Sequence, residues 1–176
     1  MLPLGYSLGM VDTERLIWIL DLLVEAGAIR SGQKQDVLNR GRDQARHILL
    51  DKRAAMRRML GRHRVAYRVT AIELVASFRF ARHDAEGERL DEETIAEMVA
   101  GALSLPFVHL DPLRLDYKLV TSAFGGPFAE RHLIVAIEDK PEALTIAMAD
   151  PWDKELVESI ARVKNKRINV VVASKA

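Results

Sequence analysis

No cysteine occurs in the 176 residues. Disulfide frameworks, cysteine-based zinc sites and thiol nucleophiles are therefore excluded, and a reducing, cytoplasmic setting is expected. Aromatic residues make up only 6% of the chain, too few for the stacking platforms that hold single-stranded nucleic acids. The six prolines and ten glycines are scattered, and no segment is low in complexity, so extended disorder is not expected outside the termini and one or two loops. Long apolar runs are missing as well. Leu16–Leu20 and Leu22–Val24 are cut by Asp21 and Glu25, far short of the ~20 residues that span a bilayer. The amino terminus Met1–Gly9 lacks the basic region and apolar stretch of a secretory signal. The protein is expected to stay where it is made, with any membrane contact peripheral.

Motifs of catalysis are also wanting. No Gly-x-x-x-x-Gly-Lys-Ser/Thr occurs, so there is neither an amide cradle for phosphates nor the lysine that grips them. Gly5-Tyr6-Ser7-Leu8-Gly9 has the Gly-x-Ser-x-Gly spacing, but the strand and helix that must flank such a nucleophile are not read around it, so the spacing alone marks no activated nucleophile. His47, His63, His83, His109 and His132 are widely spaced and form no His-x-x-x-His pair, which leaves no metal-site pattern. Asp150 and Asp153 have the look of paired carboxylates. Read with Pro151 between them, they make a helix start, with Asp150 as N-cap, proline at the first helical position and Asp153 at the third, and this needs no chemistry.

What is present is an ordinary soluble composition, 49% hydrophobic and 29% charged, enough for one or two small domains with a real core. The formal charge of +1 hides a cluster. Between Arg42 and Arg68 stand Arg42, Arg46, Lys52, Arg53, Arg57, Arg58, Arg62, Arg64 and Arg68 against only Asp43 and Asp51. Such a stretch suits anionic lipid, nucleic acid or an acidic protein face, or is simply a solvated helix surface.

Hydrophobic spacing organises the chain. Asp12-Thr13 predicts a helix start, Leu16, Ile17, Leu20, Leu23 and Val24 recur at helical spacing, and Gly27 ends the run. Ser31 offers a second N-cap to a short helix that Gly41 interrupts or bends. A basic amphipathic helix follows, with Ala45, Ile48, Leu49, Met56, Met59 and Leu60 inward and Gly61 as its stop. Another helix is expected over Thr70 to about Phe80, then an exposed, mobile polar loop from Arg82 to Arg89. Asp91 caps a helix running through Leu103.

From Leu105 the pattern turns β-rich. Pro106–Asp111, Leu133–Glu138, Leu144–Ala149 and Ile168–Ala173 are short runs bounded by turn residues. Asp139-Lys140-Pro141-Glu142 reads as a hairpin link, and a helix from Asp150 to about Val163 carries Leu156, Val157 and Ile160 inward. The expected class is α+β: a helical amino-terminal half, residues 1–89, followed by a small α/β sandwich with a short mixed sheet, residues 90–176.

Three blocks of the carboxyl half carry a resemblance. Leu105-Pro106-Phe107-Val108-His109-Leu110-Asp111-Pro112, then Arg131-His132-Leu133, then Leu144-Thr145-Ile146-Ala147-Met148-Ala149-Asp150-Pro151-Trp152-Asp153 resemble the amino-terminal domain of type II secretion and type IV pilus assembly ATPases in order and spacing. Leu22–Ile29 is similar to the family's first helical element. The resemblance implies a non-catalytic docking and regulatory domain of a type II secretion ATPase. That domain tethers a hexameric motor to the cytoplasmic domain of an inner-membrane assembly protein, with ATP and Mg²⁺ bound by the full-length protein and no cofactor bound here. The ending Ala173-Ser174-Lys175-Ala176, directly after a strand, reads as a cut before catalytic domains.

Some relatives bind cyclic di-GMP through tandem motifs of the form Arg-Leu-Gly-x-x-Leu-Val-x-x-Gly, extended by Leu and a final Gln. Here Trp18, Ile19 and Leu20 fall at Arg-Leu-Gly, Lys34 replaces a Leu and Gly41 the Gln. In the second copy the Ala81–Arg89 loop breaks the spacing and Ala102 stands at the Gln. Cyclic di-GMP sensing is the alternative function. Candidate partner-binding residues are Arg53, Arg57 and Arg58 on the basic helix, and Trp152, which is weighed as an interface anchor against core packing. No catalytic or metal residues and no nucleic-acid partner are expected.

Overall fold

The computed structural model describes residues 11–60 and 67–174. Gly61, Arg62, His63 and Arg64, the side chains of Met59 and Leu60, and both chain ends lie outside the described residues. Among the latter the elements run α1 (Thr13–Glu25), α2 (Ser31–Leu60), α3 (Ala71–Ala76), α4 (Glu92–Ala102), α5 (Tyr117–Ala123), α6 (Gly126–His132), β1 (Ile134–Asp139), β2 (Ala143–Met148), α7 (Lys154–Lys164) and β3 (Arg167–Val172). The class is α+β, helices first and a small α/β part after. The chain divides into two compact units, Met1–Ile95 and Ala96–Ala176, the division falling inside α4.

In the first unit α1 begins where Asp12 accepts a hydrogen bond from the Arg15 N–H at 3.0 Å. Gly27, with φ of +73°, turns the chain out of the helix at an angle that costs an L-residue with a side chain roughly 1–2 kcal/mol. Leu16, Ile19, Leu20 and Leu23 are fully buried, and α1 packs on both α2 and α3. α2 is one 30-residue helix, where the sequence predicts two. Gly41 is buried in the middle of it. A single interior glycine costs about 1 kcal/mol of helix propensity, which the burial of Val37 and Ala45 on either side offsets. Its start also differs. The Gln33 side chain accepts from the Arg30 N–H at 2.8 Å, the returning half of a capping box, so Ser31 lies inside the helix rather than capping it.

α3 is shorter than expected and is capped by Thr70, whose hydroxyl accepts from the Glu73 N–H at 3.1 Å. The polar loop after it is exposed but well tied. Ala81 bridges Arg89, Arg82 bonds Asp84 and Glu88, and the His83 N–H reaches the Ala28 carbonyl at 3.2 Å. Asp91 then caps α4 as predicted, accepting from the Thr94 N–H at 2.8 Å.

The second unit is built on a three-stranded sheet in the order β1-β2-β3. β1 and β2 are antiparallel with a bulge between Ala136 and Glu138, and β2 and β3 are parallel, joined through α7. One face packs Ile134, Ala136, Leu144, Ile146 and Met148 against Leu156 and Ile160 of α7 and against Phe124. The other face carries Ala147, Val171 and Ala173 with Val108, Leu110, Val135 and Ile137. The expected strand at Pro106–Asp111 is only a bridge, Phe107 to Val172. Pro106 has no N–H to give and contributes only its carbonyl, which accepts from Val172. α7 also starts later than predicted. Its N-cap is Asp153, which accepts from the Leu156 N–H at 3.0 Å, while Asp150 is buried in the turn before it. Pro151 and Trp152 form a turn in which the Trp152 carbonyl accepts from the Lys154 N–H at 2.9 Å, so the helix does not begin until Asp153 caps it. α5 and α6 were not foreseen.

Candidate functional site

The basic cluster lies on the second half of α2. From Arg46 to Arg58 no side chain is buried, and Ile48, Leu49, Ala55 and Met56 are only half-buried. The inward side is held in part by Lys52, whose ammonium sits 5.8 Å from the centre of the Tyr67 ring. Tyr67 donates its hydroxyl to the buried Glu73 carboxylate. Burial first, and that hydrogen bond second, push the phenol well above the ordinary tyrosine range.

At about 100° per residue, Arg42, Arg46, Arg53 and Arg57 fall within an arc of about 60° on the helix circumference. Arg58 lies about 100° from Arg57, and its Nε donates to the Ala54 carbonyl of its own helix at 3.3 Å. The trio Arg53, Arg57 and Arg58 therefore does not share one face: the first two stand together and the third does not. Leu50, 56% exposed, projects beside Arg57 on the side away from Arg42. Sequence spacing contained this stripe. The expected basic helix already held it from Arg46 to Arg57; the unbroken passage through Gly41 adds Arg42 to the same axis.

Trp152 belongs to the other unit. It is half-buried in the turn before α7, where its carbonyl accepts from the Lys154 N–H at 2.9 Å. Asp150 and Asp153 are divided between burial and capping. His83 faces Gln33, with Nε2 3.0 Å from the Gln33 Oε1, and His132 packs 4.6 Å from the Phe128 ring centre. Among the described residues no group of three or more His, Asp or Glu is placed to hold a metal ion, and no helix is long and apolar enough to cross a membrane. A groove of about 250 Å³ runs along the start of β1, lined mostly by apolar residues including Leu110, Ala129, Leu133, Val135 and Ala147. Nothing in the sequence announced it, because its lining comes from α6, two strands and the bridge segment.

Of the positions where cyclic di-GMP-binding relatives carry Arg-Leu-Gly, the first is Trp18, which is exposed, and the other two have structural duties. Ile19 and Leu20 are fully buried in the first unit's core, and Lys34 pairs with Asp21. Gly41 is buried too.

Residues 103–176 match the family model of the MshEN domain. This segment covers nearly all of the second unit and contains the three sequence blocks noted above, which fall on the bridge segment, the end of α6, and β2 with the turn before α7. The type IV pilus assembly ATPase TfpB of Acinetobacter baylyi is 25% identical over 104 residues, 58% of this chain. The match spans only 18% of that relative's length. A structure of MshE with cdg overlays with a TM-score of 0.52 at 23% identity, covering 89% of each chain. The N-terminal domain of XpsE overlays more loosely, with a TM-score of 0.37 at 19% identity over 45% of this chain and 55% of that one. The chain is similar in sequence to a type IV pilus assembly ATPase and, over residues 103–176, to the MshEN domain, and in fold to MshE.

Proposed function

We propose that this chain is a non-catalytic docking and regulatory domain of a secretion or pilus ATPase, cytoplasmic and peripheral to the inner membrane. It tethers a hexameric motor to the cytoplasmic domain of an inner-membrane assembly protein. The observation that carries the reading is the match of residues 103–176 to the MshEN domain, in a chain whose sequence has no phosphate-binding loop. ATP and Mg²⁺ are accordingly assigned to the remainder of the ATPase. Arg53 and Arg57 supply positive charge at the membrane side of the assembly, Arg58 lies off their face, and Trp152 is an anchor toward the partner in the second unit. Exposed charges of this kind act on encounter rates more than on final affinity. Pull-down from detergent-solubilised membranes with tagged residues 1–176 tests the proposal. Recovery of an inner-membrane assembly protein supports it, and recovery of none sinks it.

The sensing alternative has one observation in its favour, the fold shared with MshE, which was solved with cdg. Against it stand Ile19, Leu20 and Lys34, committed to core packing and to an ion pair where the ligand-binding relatives place other residues. Calorimetric titration with cyclic di-GMP should stay flat into the high micromolar range. A micromolar isotherm would replace docking by sensing as the primary role.

A further inference from the structure

We infer that the exposed face of α2 seats on an anionic phospholipid surface, with Arg42, Arg46, Arg53 and Arg57 on lipid phosphates and Leu50 entering between the headgroups. The assignment deepens the docking reading by naming what α2 meets, and it can fail while that reading stands.

The four guanidinium groups form a band about 22 Å long and about 60° wide along one side of the helix. All four are exposed. Asp43 and Asp51, the acids of this segment, fall outside the arc, at about 100° and 180° from Arg42. Leu50, with more than half its surface in water, lies along the edge of the band. That combination discriminates among polyanions. A nucleic acid would engage the arginines but leave the leucine without an apolar partner, since readers of its bases use aromatic platforms and the described part of this face carries none. An acidic patch on a protein would have to run the full length of the band to meet every arginine. A bilayer offers a continuous plane of phosphates with acyl chains just beneath, and so satisfies the arginines and the leucine together. No helix among the described residues can span a bilayer, so the contact is interfacial.

Each basic side chain near an anionic leaflet is worth about fivefold in partitioning, an effect that salt attenuates. The test is cosedimentation of residues 1–176 with vesicles of phosphatidylcholine alone and of phosphatidylcholine with phosphatidylglycerol in equal parts, at low and high salt. Binding should require phosphatidylglycerol and weaken with salt. Arg42→Glu, Arg46→Glu, Arg53→Glu and Arg57→Glu combined should lower it at least about a hundredfold, with circular dichroism unchanged. Leu50→Gln should weaken binding without altering its salt dependence. Arg58→Glu, off the band, should cost less than Arg53→Glu. Equal binding to phosphatidylcholine alone, no loss in the combined variant, equal losses for Arg58→Glu and Arg53→Glu, or tighter binding to a DNA duplex than to the anionic vesicles would each overturn the assignment. The pull-down above, read by the identity of the protein recovered, reports on protein docking separately.

Discussion

Asp91 holds the start of α4 through its bond to the Thr94 N–H, and that bond keeps its carboxyl below the usual aspartate range. A depressed folded-state pKa stabilises the fold above the unfolded value of about 3.9, and the benefit disappears as pH falls through the folded value. Asp91→Ala should therefore cost about 1 kcal/mol at neutral pH, and the gap to the parent should close in acid. Urea melts at neutral and strongly acidic pH check both halves. Tyr67 carries the opposite sign. Its raised pKa, from burial and from Glu73, gives stability that is whole below the unfolded value of about 10 and is lost as pH rises beyond it. Tyr67→Phe should cost about 1.5–3 kcal/mol near neutrality, the range for a hydrogen bond to a charged group, and should remove the parent's alkaline decline between pH 10 and the onset of general base denaturation. Thermal melts across that range decide it.

Ile146 is fully buried at the middle of β2, flanked by β1 on one side and β3 on the other. Ile146→Ala should destabilise the second unit by about 2–5 kcal/mol, visible as an early transition in denaturant. α2 should show a gradient along its own length. Val37, Gly41 and Ala45 are buried while nothing from Arg46 to Arg58 is, so amide exchange should be slow in the first half and markedly faster in the second. Uniform protection would contradict this. The strands, α1 and α4 were legible in the sequence because alternation or helical spacing coincided with a capping aspartate or a turn. α2 was split because propensity alone weighs Gly41 as a break, whereas packing around it decides. α5 and α6 escaped because each is only seven residues long with no buried residue, too short to develop a periodic apolar stripe. Their signals were local: Asp116, which accepts from the Lys118 and Leu119 N–H groups, and a proline in the first turn of α6. The charge of the candidate surface could be counted from sequence. Its angular distribution, which sets Arg58 about 100° from Arg57, was legible as well once the expected helix is wound at about 100° per residue.

At the scale of the molecule, a formal charge of +1 is the balance of an uneven distribution, with a cationic band on α2 and acids elsewhere. Purified residues 1–176 should show no ATP turnover; saturable hydrolysis that survives rigorous purification would contradict the assignment of that chemistry to the rest of the ATPase. The bulge in β1 has a consequence for the molecule in crowded solution. Ile137 is the extra residue, skipped in the register between Ala136 opposite Ile146 and Glu138 opposite Thr145, and charged Glu138 and Lys140 follow it. β1 is an edge strand of its sheet, and a regular apolar edge over Ile134–Ile137 would be a template for pairing with a second chain. The kink and the charges spoil that template. Deleting Ile137 should straighten the strand and raise self-association by edge pairing above that of the parent, measured by light scattering.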